Sequence, residues 1–152
     1  MYSSYMNRAR TDATAKPVDL MGLLHTAYAA QAEVEAKLGT IGLSLAKLLA
    51  LQALADADGS VPLGQLAGRL SCVKSNITQL VDRLEADGFV ARESDPKDRR
   101  TRLAVLTAAG RKACTDGTRL QHDTERHLLA TLTRDEARQL GTLLEKVGRP
   151  RG

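Results

Sequence analysis

One segment of the sequence carries short hydrogen-bonding side chains grouped at one end of a helical pattern. Between residues 72 and 87, apolar residues recur at helical spacing on one side, and polar residues occupy the other side. The polar residues near its start are Lys74, Ser75, Asn76, Thr78 and Gln79. Short side chains let a helix approach the edges of DNA bases, and a glutamine can bind adenine through two hydrogen bonds. The segment is therefore a candidate for reading the major groove of DNA, although a polar outer face is also typical of any surface helix.

A second polar cluster lies between two short β-like runs, at residues 97–102. It contains four cations and one anion, namely Lys97, Arg99, Arg100 and Arg102 against Asp98. Four less one leaves +3, which is most of the +4 carried by the whole chain. Arginines on a projecting loop suit the narrow minor groove of DNA, and Asp98 can hold one of them in a fixed conformation. The alternative is an ordinary solvated hairpin tip.

These two clusters must be positioned by the elements around them, and the sequence predicts six helices and two strands. The helices are predicted at residues 18–38, 45–57, 63–70, 72–87, 107–132 and 133–149, and the strands at 89–93 and 102–106. The predicted N-caps are Ser44, Ser71, Thr107 and Thr133, while Gly110 and Gly117 make the continuity of the fifth helix doubtful. Two helices followed by a hairpin form a winged helix-turn-helix pattern. The predicted fold class is therefore mainly α with a small β-hairpin wing, a winged helix-turn-helix domain plus a helical dimerisation region.

The order of these elements divides the chain into four segments. They are a flexible arm at 1–16, an N-terminal dimerisation helix and linker at 17–42, the winged domain at 43–107, and C-terminal dimerisation helices at 108–152. Dimerisation is expected because the last helix carries an apolar stripe that a small domain cannot bury alone, formed by Leu140, Leu143, Leu144 and Val147. A twofold dimer would place two reading helices roughly 34 Å apart, so we expect an inverted repeat in the DNA.

The composition excludes several other classes of protein. The 152 residues are 43% hydrophobic and 26% charged, which fits a globular domain and excludes disordered and collagen-like chains. Only 3% are aromatic, so a core of Leu, Ala and Val in packed helices is expected. The sequence has no apolar run of about 18 residues and no signal-peptide pattern, so we expect a cytoplasmic protein without a membrane span. It also has no phosphate loop and no histidine pair at metal-binding spacing, so catalysis, a cofactor and a metal are not expected.

Four motifs recur in an order and spacing that resemble the MarR family of bacterial transcription regulators. They lie at residues 66–70, 77–90, 95–100 and 106–110, and the resemblance covers roughly residues 44–112. It implies a homodimer whose first, fifth and sixth helices interlock, and which binds double-stranded DNA at a palindromic operator. It also implies that Asp98 and Arg100 form the family's wing pair, and that the reading helix supplies Ser75, Asn76, Thr78 and Gln79.

The resemblance further suggests a repressor that is relieved by a small aromatic or phenolic ligand. Candidate ligand contacts are His25 and Tyr28 on the first helix, which could equally be ordinary interface residues. Two other functions stay open. One is a thiol-responsive regulator, because Cys72 lies at a predicted helix N-terminus, where the reactive thiolate is favoured. The other is a protein-interaction module whose basic wing binds an acidic surface.

Overall fold

The structure, a computed structural model, describes residues 17–70 and 76–149. Predictions made for residues 1–16, for Ser71, Cys72, Lys74 and Ser75, and for residues 150–152 of the C-terminal segment lie outside these ranges. The helices are α1 (Leu20–Gly39), α2 (Leu45–Ala55), α3 (Leu63–Arg69), α4 (Ile77–Ala86), α5 (Ala108–Leu128) and α6 (Arg134–Gly148). The strands are β1 (Ser60–Pro62), β2 (Val90–Ser94) and β3 (Arg102–Leu106).

Side-chain caps begin most of these helices, because each cap accepts a hydrogen bond from a free N–H of the first turn. The predicted caps are confirmed at Ser44 for α2, at Thr107 for α5 and at Thr133 for α6. Thr133 also forms the full capping box with Glu136, whose carboxylate accepts a hydrogen bond from the Thr133 N–H at 2.8 Å. The sequence pattern missed the cap of α1, where Asp19 accepts from Gly22 N.

The predicted start of the fourth helix was wrong. The N-cap of α4 is Asn76, whose Oδ1 accepts a hydrogen bond from Thr78 N at 3.1 Å. Asn76 has an extended backbone (φ −63°, ψ 107°), so a continuous helix from residue 72 to residue 87 cannot pass through it. The helical spacing continues across this point in the sequence, which is why the pattern alone placed the start too early.

The wing is a three-stranded antiparallel sheet in the order β1-β3-β2, and not a two-stranded hairpin. In the hairpin, Val90 of β2 lies opposite Leu106 of β3, and Ser94 lies opposite Arg102. The additional strand places Val61 opposite Ala104, and both side chains are fully buried or nearly so. Because β1 has three residues and ends in a proline, its sequence resembles a turn, and the strand was missed.

Helix α2 runs through the centre of the core, as its apolar circumference predicts. Its buried residues are Leu48, Ala50, Leu51 and Leu54. Around them pack side chains from the neighbouring elements, including Leu38, Leu66, Val81 and Leu84. This core is built from leucine, valine and alanine, as the low aromatic content indicates. Within the described residues, the structure contains no helix with the length and apolarity needed to cross a membrane.

The two glycines that put the continuity of the fifth helix in doubt lie inside one continuous helix. A Cβ atom on Gly110 would lie 2.0 Å from the carbonyl oxygen of Phe89, and one on Gly117 would lie 2.8 Å from Leu43 and Leu48. Gly110 therefore allows α5 to approach the backbone of Phe89 more closely than any residue with a side chain could, whereas a side chain at Gly117 would require the methyl groups of Leu43 and Leu48 to move. Both glycines are packing residues, so the doubt about continuity was unfounded.

Candidate nucleic-acid interface

Helix α4 has a buried apolar side and an exposed polar side. Leu80, Val81 and Leu84 are buried against the core, while Thr78 and Gln79 are exposed in the first turn. Their exposure allows the hydroxyl of Thr78 and the amide of Gln79 to meet a ligand. Asn76 is also exposed, but its side-chain oxygen is occupied as the N-cap. Lys74 and Ser75 precede the described part of this region.

The C-terminal end of α4 is attached to α2 through a lysine. Lys47 Nζ lies 2.6 Å from Asp87 Oδ2 and also donates to the carbonyl oxygen of Gly42 at 3.3 Å. Asp87 is the C-cap residue of α4, so the contact holds the end of this helix against the loop between α1 and α2. Sequence reasoning missed it because Lys47 and Asp87 are forty positions apart.

The middle of α4 is attached to the wing through Arg92 of β2. The two terminal nitrogens of its guanidinium group bind separate carboxylates, Nη2 that of Asp82 and Nη1 that of Glu85. The pKa of Arg92 is raised, chiefly by the hydrogen bond to Asp82. Asp82 thus orients a basic side chain of the neighbouring strand. Arg92 itself was missed, since nothing in a strand sequence indicates which helix it will face.

The tip of the wing is ordered by two aspartates that bind backbone and hydroxyl groups. Asp98 accepts hydrogen bonds from Arg100 N at 3.0 Å and from Thr101 Oγ1 at 3.1 Å, and Asp95 accepts from Lys97 N at 2.8 Å. The predicted role of Asp98, holding an arginine side chain, was therefore wrong in its chemistry. Asp98 orders the backbone that carries Arg100 and leaves the guanidinium exposed.

The basic residues of the wing fall into two groups. Lys97, Arg99 and Arg100 are exposed on the turn beyond the strands. Arg102, the first residue of β3, instead donates from Nη1 to Ser94 Oγ at 3.0 Å across the β2–β3 pair. Arg102 thus braces the base of the tip, whereas the other three cations are available for an external contact.

The two candidate ligand contacts on α1 are not assembled into a site within the part of the chain that the structure describes. His25 and Tyr28 lie one turn apart on α1, both exposed, with Tyr28 at 67%. A cavity of about 480 Å³ lies between α2 and α5, where Arg111, Cys114 and Thr118 line it, and neither His25 nor Tyr28 is among its lining residues. Burial raises the pKa of the Cys114 thiol. In the part of the chain that the structure describes, no cluster of metal-ligating side chains occurs.

Comparisons with known proteins agree with this geometry. The family model described as MarR family matches residues 43–101. An HTH-type transcriptional repressor of Mycobacterium tuberculosis, Rv2887, is 30% identical over 116 residues, which cover 76% of this chain and 83% of that protein. The chain belongs to the MarR family. The resemblance inferred from the four motifs is thereby confirmed, and so is the winged helix-turn-helix fold class.

Two further comparisons define how far the likeness extends. YkoM, an uncharacterised HTH-type regulator of Bacillus subtilis, is 37% identical over 90 residues, which are 59% of this chain and 58% of YkoM. The chain therefore spans less than two thirds of that relative. A mutant of MarR from Escherichia coli, solved in complex with operator DNA, superposes with a TM-score of 0.73 at 27% identity, covering 87% of this chain and all of that one. Within the MarR family, this chain has the fold and the relatives of a transcriptional regulator.

Proposed function

We propose that this MarR-family regulator binds double-stranded DNA sequence-specifically through α4 and the wing. Thr78 and Gln79 would contact base edges in the major groove, and Arg99 and Arg100 would enter the adjacent minor groove. The observation that carries this proposal is the Arg92 contact, because it attaches the exposed polar face of α4 to the strand that leads to the basic tip. Asn76 and Lys97 stand beside these residues and are exposed, as contacts with DNA require.

A homodimer is the second part of the proposal, and it assigns residues 17–42 and 108–152 to dimerisation. Helix α6 has no buried residue within one chain, and Leu143 and Val147 are 50% and 63% exposed. The start of α1 is similarly exposed, with Leu20 at 68% and Met21 at 71%. Exposed apolar residues at helical spacing on two long helices need a partner surface. A second copy would cover them and would present two reading helices to an inverted repeat.

Repression by occupancy of a promoter is the third part, and it rests on likeness alone. Rv2887 is a repressor by name, and a small aromatic or phenolic effector is what the family resemblance suggests. His25 and Tyr28 would contact such a ligand if the partner chain completed a cleft over the exposed face of α1. The ligand would act by favouring a dimer in which the two reading helices no longer match the operator.

Selection of bound fragments from genomic DNA by the purified chain tests DNA recognition directly. We expect enrichment of an inverted repeat, and about a tenfold loss of affinity for it in Arg100→Ala. The affinity of this variant should also depend less steeply on salt concentration, because the substitution removes a positive charge that would lie near the DNA phosphates. Arg119→Ala is the matched control, since Arg119 is an exposed arginine of α5 outside the wing. Failure to enrich any sequence would contradict the proposal and favour a protein-interaction module.

Sedimentation analysis tests the dimer. Leu143→Asp places a charge in the exposed apolar stripe of α6, so it should shift the protein from dimer to monomer at micromolar concentration. Thr142→Asp is the control, because Thr142 lies on the opposite side of the same helix. If both variants sediment like the wild-type protein, α6 does not form the dimer interface.

The thiol-responsive alternative fails if Cys72→Ser leaves the peroxide sensitivity of DNA binding unchanged.

A further inference from the structure

We propose that Arg92 is a positioning residue, which sets the wing against α4 so that both parts meet DNA together. This inference rests on the proposed function, since it concerns how that DNA contact is organised. Arg92 would not itself touch the bases. It would fix the distance and angle between the major-groove side chains of α4 and the minor-groove arginines of the wing tip.

The strand geometry directs Arg92 toward α4. Side chains alternate along a strand, so Arg92 shares a face of β2 with Val90, which is 2% exposed. It also lies opposite Ala104 of β3, which is fully buried. The face that carries these three residues is turned toward the domain. The guanidinium group reaches Asp82 and Glu85 at the edge of this face and retains 27% of its side-chain exposure.

The location of the two carboxylates links them to the reading residues. Asp82 follows Thr78 by four positions and Gln79 by three, so it lies one turn further along the same exposed side of α4. Arg92 therefore holds the turn that directly follows the side chains proposed to read bases. Loss of this contact would therefore change the position of α4 relative to the wing, in addition to making the Arg92 side chain more mobile.

The other attachments between α4 and the wing lie nearer to the start of β2. Phe89 N donates to Leu84 O at 2.9 Å, and Thr107 binds the carbonyl oxygens of Gly88 and Phe89. These bonds fix the junction between α4 and β2. Arg92 lies beyond that junction, toward the tip, where it can restrain the angle that the junction leaves free. A planar guanidinium group suits this role, because it binds two carboxylates in a fixed geometry that a lysine ammonium group cannot reproduce.

An electrostatic role for Arg92 makes different predictions. One cation and two anions leave the cluster of Arg92, Asp82 and Glu85 with a net charge of −1, and removing the arginine would leave two carboxylates beside DNA phosphates. If neutralising these carboxylates were its only role, any variant that removes the negative charge would bind DNA at least as well as the wild-type protein. A positioning role requires the contact itself.

The test compares two variants by DNA affinity and by footprinting on the selected operator. Arg92→Lys keeps the charge but loses the two-carboxylate geometry. The triple variant Asp82→Asn, Glu85→Gln, Arg92→Gln removes the contact and leaves no net charge. Arg119→Lys on α5 is the matched control for an exposed arginine in an ion pair outside the wing, and because α5 belongs to the proposed dimerisation region, sedimentation must show that this variant assembles like the wild-type protein. Thermal unfolding of each variant verifies that the fold is retained.

We expect about a tenfold weaker affinity in both Arg92→Lys and the triple variant. Minor-groove protection from hydroxyl radicals should shrink at the wing position, while major-groove protection of guanine N7 persists. Wild-type affinity in either variant would overturn the positioning role, and tight binding by the triple variant would assign Arg92 to charge neutralisation. These failures differ from failure of the proposed function, in which the wild-type protein itself selects no DNA.

Discussion

Gly110→Ala should destabilise the protein even though alanine is the better helix former. A helix interior normally gains about 1 kcal/mol when alanine replaces glycine. At Gly110 the added Cβ would lie 2.0 Å from the carbonyl oxygen of Phe89 and 2.8 Å from Leu106 Cδ1. The closest ordinary approach of carbon to such an oxygen is about 3.3 Å, so the backbones must separate by about 1.3 Å.

This separation is costly because the opposing atom belongs to a backbone that is itself held in place. Phe89 O accepts a hydrogen bond from Thr107 N at 3.1 Å, and Gly88 O accepts from Thr107 Oγ1 at 2.7 Å. Overpacking in a rigid site costs about 3 kcal/mol, and the helix-propensity gain offsets about 1 kcal/mol of it. The free energy of unfolding should therefore fall by about 2 kcal/mol, a large part of the total stability of a domain of this size.

Urea denaturation at one fixed protein concentration measures this change, because a dimer would make the apparent stability concentration-dependent. With a slope of about 2 kcal/mol per molar urea, the midpoint should fall by about 1 M. Gly68→Ala in α3 is the matched control: nothing lies within 4 Å of its added Cβ, so that variant should gain up to about 1 kcal/mol. If Gly110→Ala unfolds at the same or a higher urea concentration than the wild-type protein, the packing argument is refuted.

Two further predictions concern titratable groups. In a Cys72→Ser background, Cys114 should react with iodoacetamide at pH 8 about tenfold more slowly in the folded protein than after unfolding, because burial raises its thiol pKa; equal rates would contradict this. Thr133→Ala should lower the helical content measured by circular dichroism, because the α6 capping box is lost at a cost of about 1 kcal/mol. The hydrogen bonds from Thr133 lower the pKa of Glu136, so the stabilisation by this carboxylate is present at neutral pH and is lost as the pH falls through its lowered pKa. Glu136→Gln has no ionisable group at this position, so a pH dependence of stability that is unchanged in Glu136→Gln would contradict the role of Glu136.

The sequence determined the features that depend on neighbouring residues. Ser44, Thr107 and Thr133 were recognisable as caps because a cap and the N–H groups that it binds lie within three positions of one another. The apolar circumference of α2 predicted its central place in the core. The four motifs identified the MarR family, because their order and spacing are properties of the chain alone.

Other local features could not be predicted from the sequence, even though they involve residues close together in the chain. The strand β1 is three residues long and includes a proline, so neither alternation nor composition separates it from a turn. The N-cap of α4 is Asn76, whereas the sequence pattern selected Ser71, and serine and asparagine are equally good N-cap residues. The hydrogen bonds of Asp98 depend on the path of the wing turn, which brings Arg100 N and Thr101 Oγ1 to the same carboxylate.

Only the tertiary structure decided which distant residues meet. In the sequence, nothing distinguishes Arg92 from any other basic residue of a short strand. In the structure, the face of the sheet that carries Arg92 is directed toward α4, where Arg92 reaches Asp82 and Glu85. In the sequence, Gly110 is a poor helix former in the middle of a helical pattern. In the structure, the carbonyl oxygen of Phe89 occupies the space that a side chain at this position would need. In both cases the physical reason is the same. Local preferences set the elements, whereas these contacts depend on how closely and at what angle two separate backbones pack, and no spacing along the chain records that.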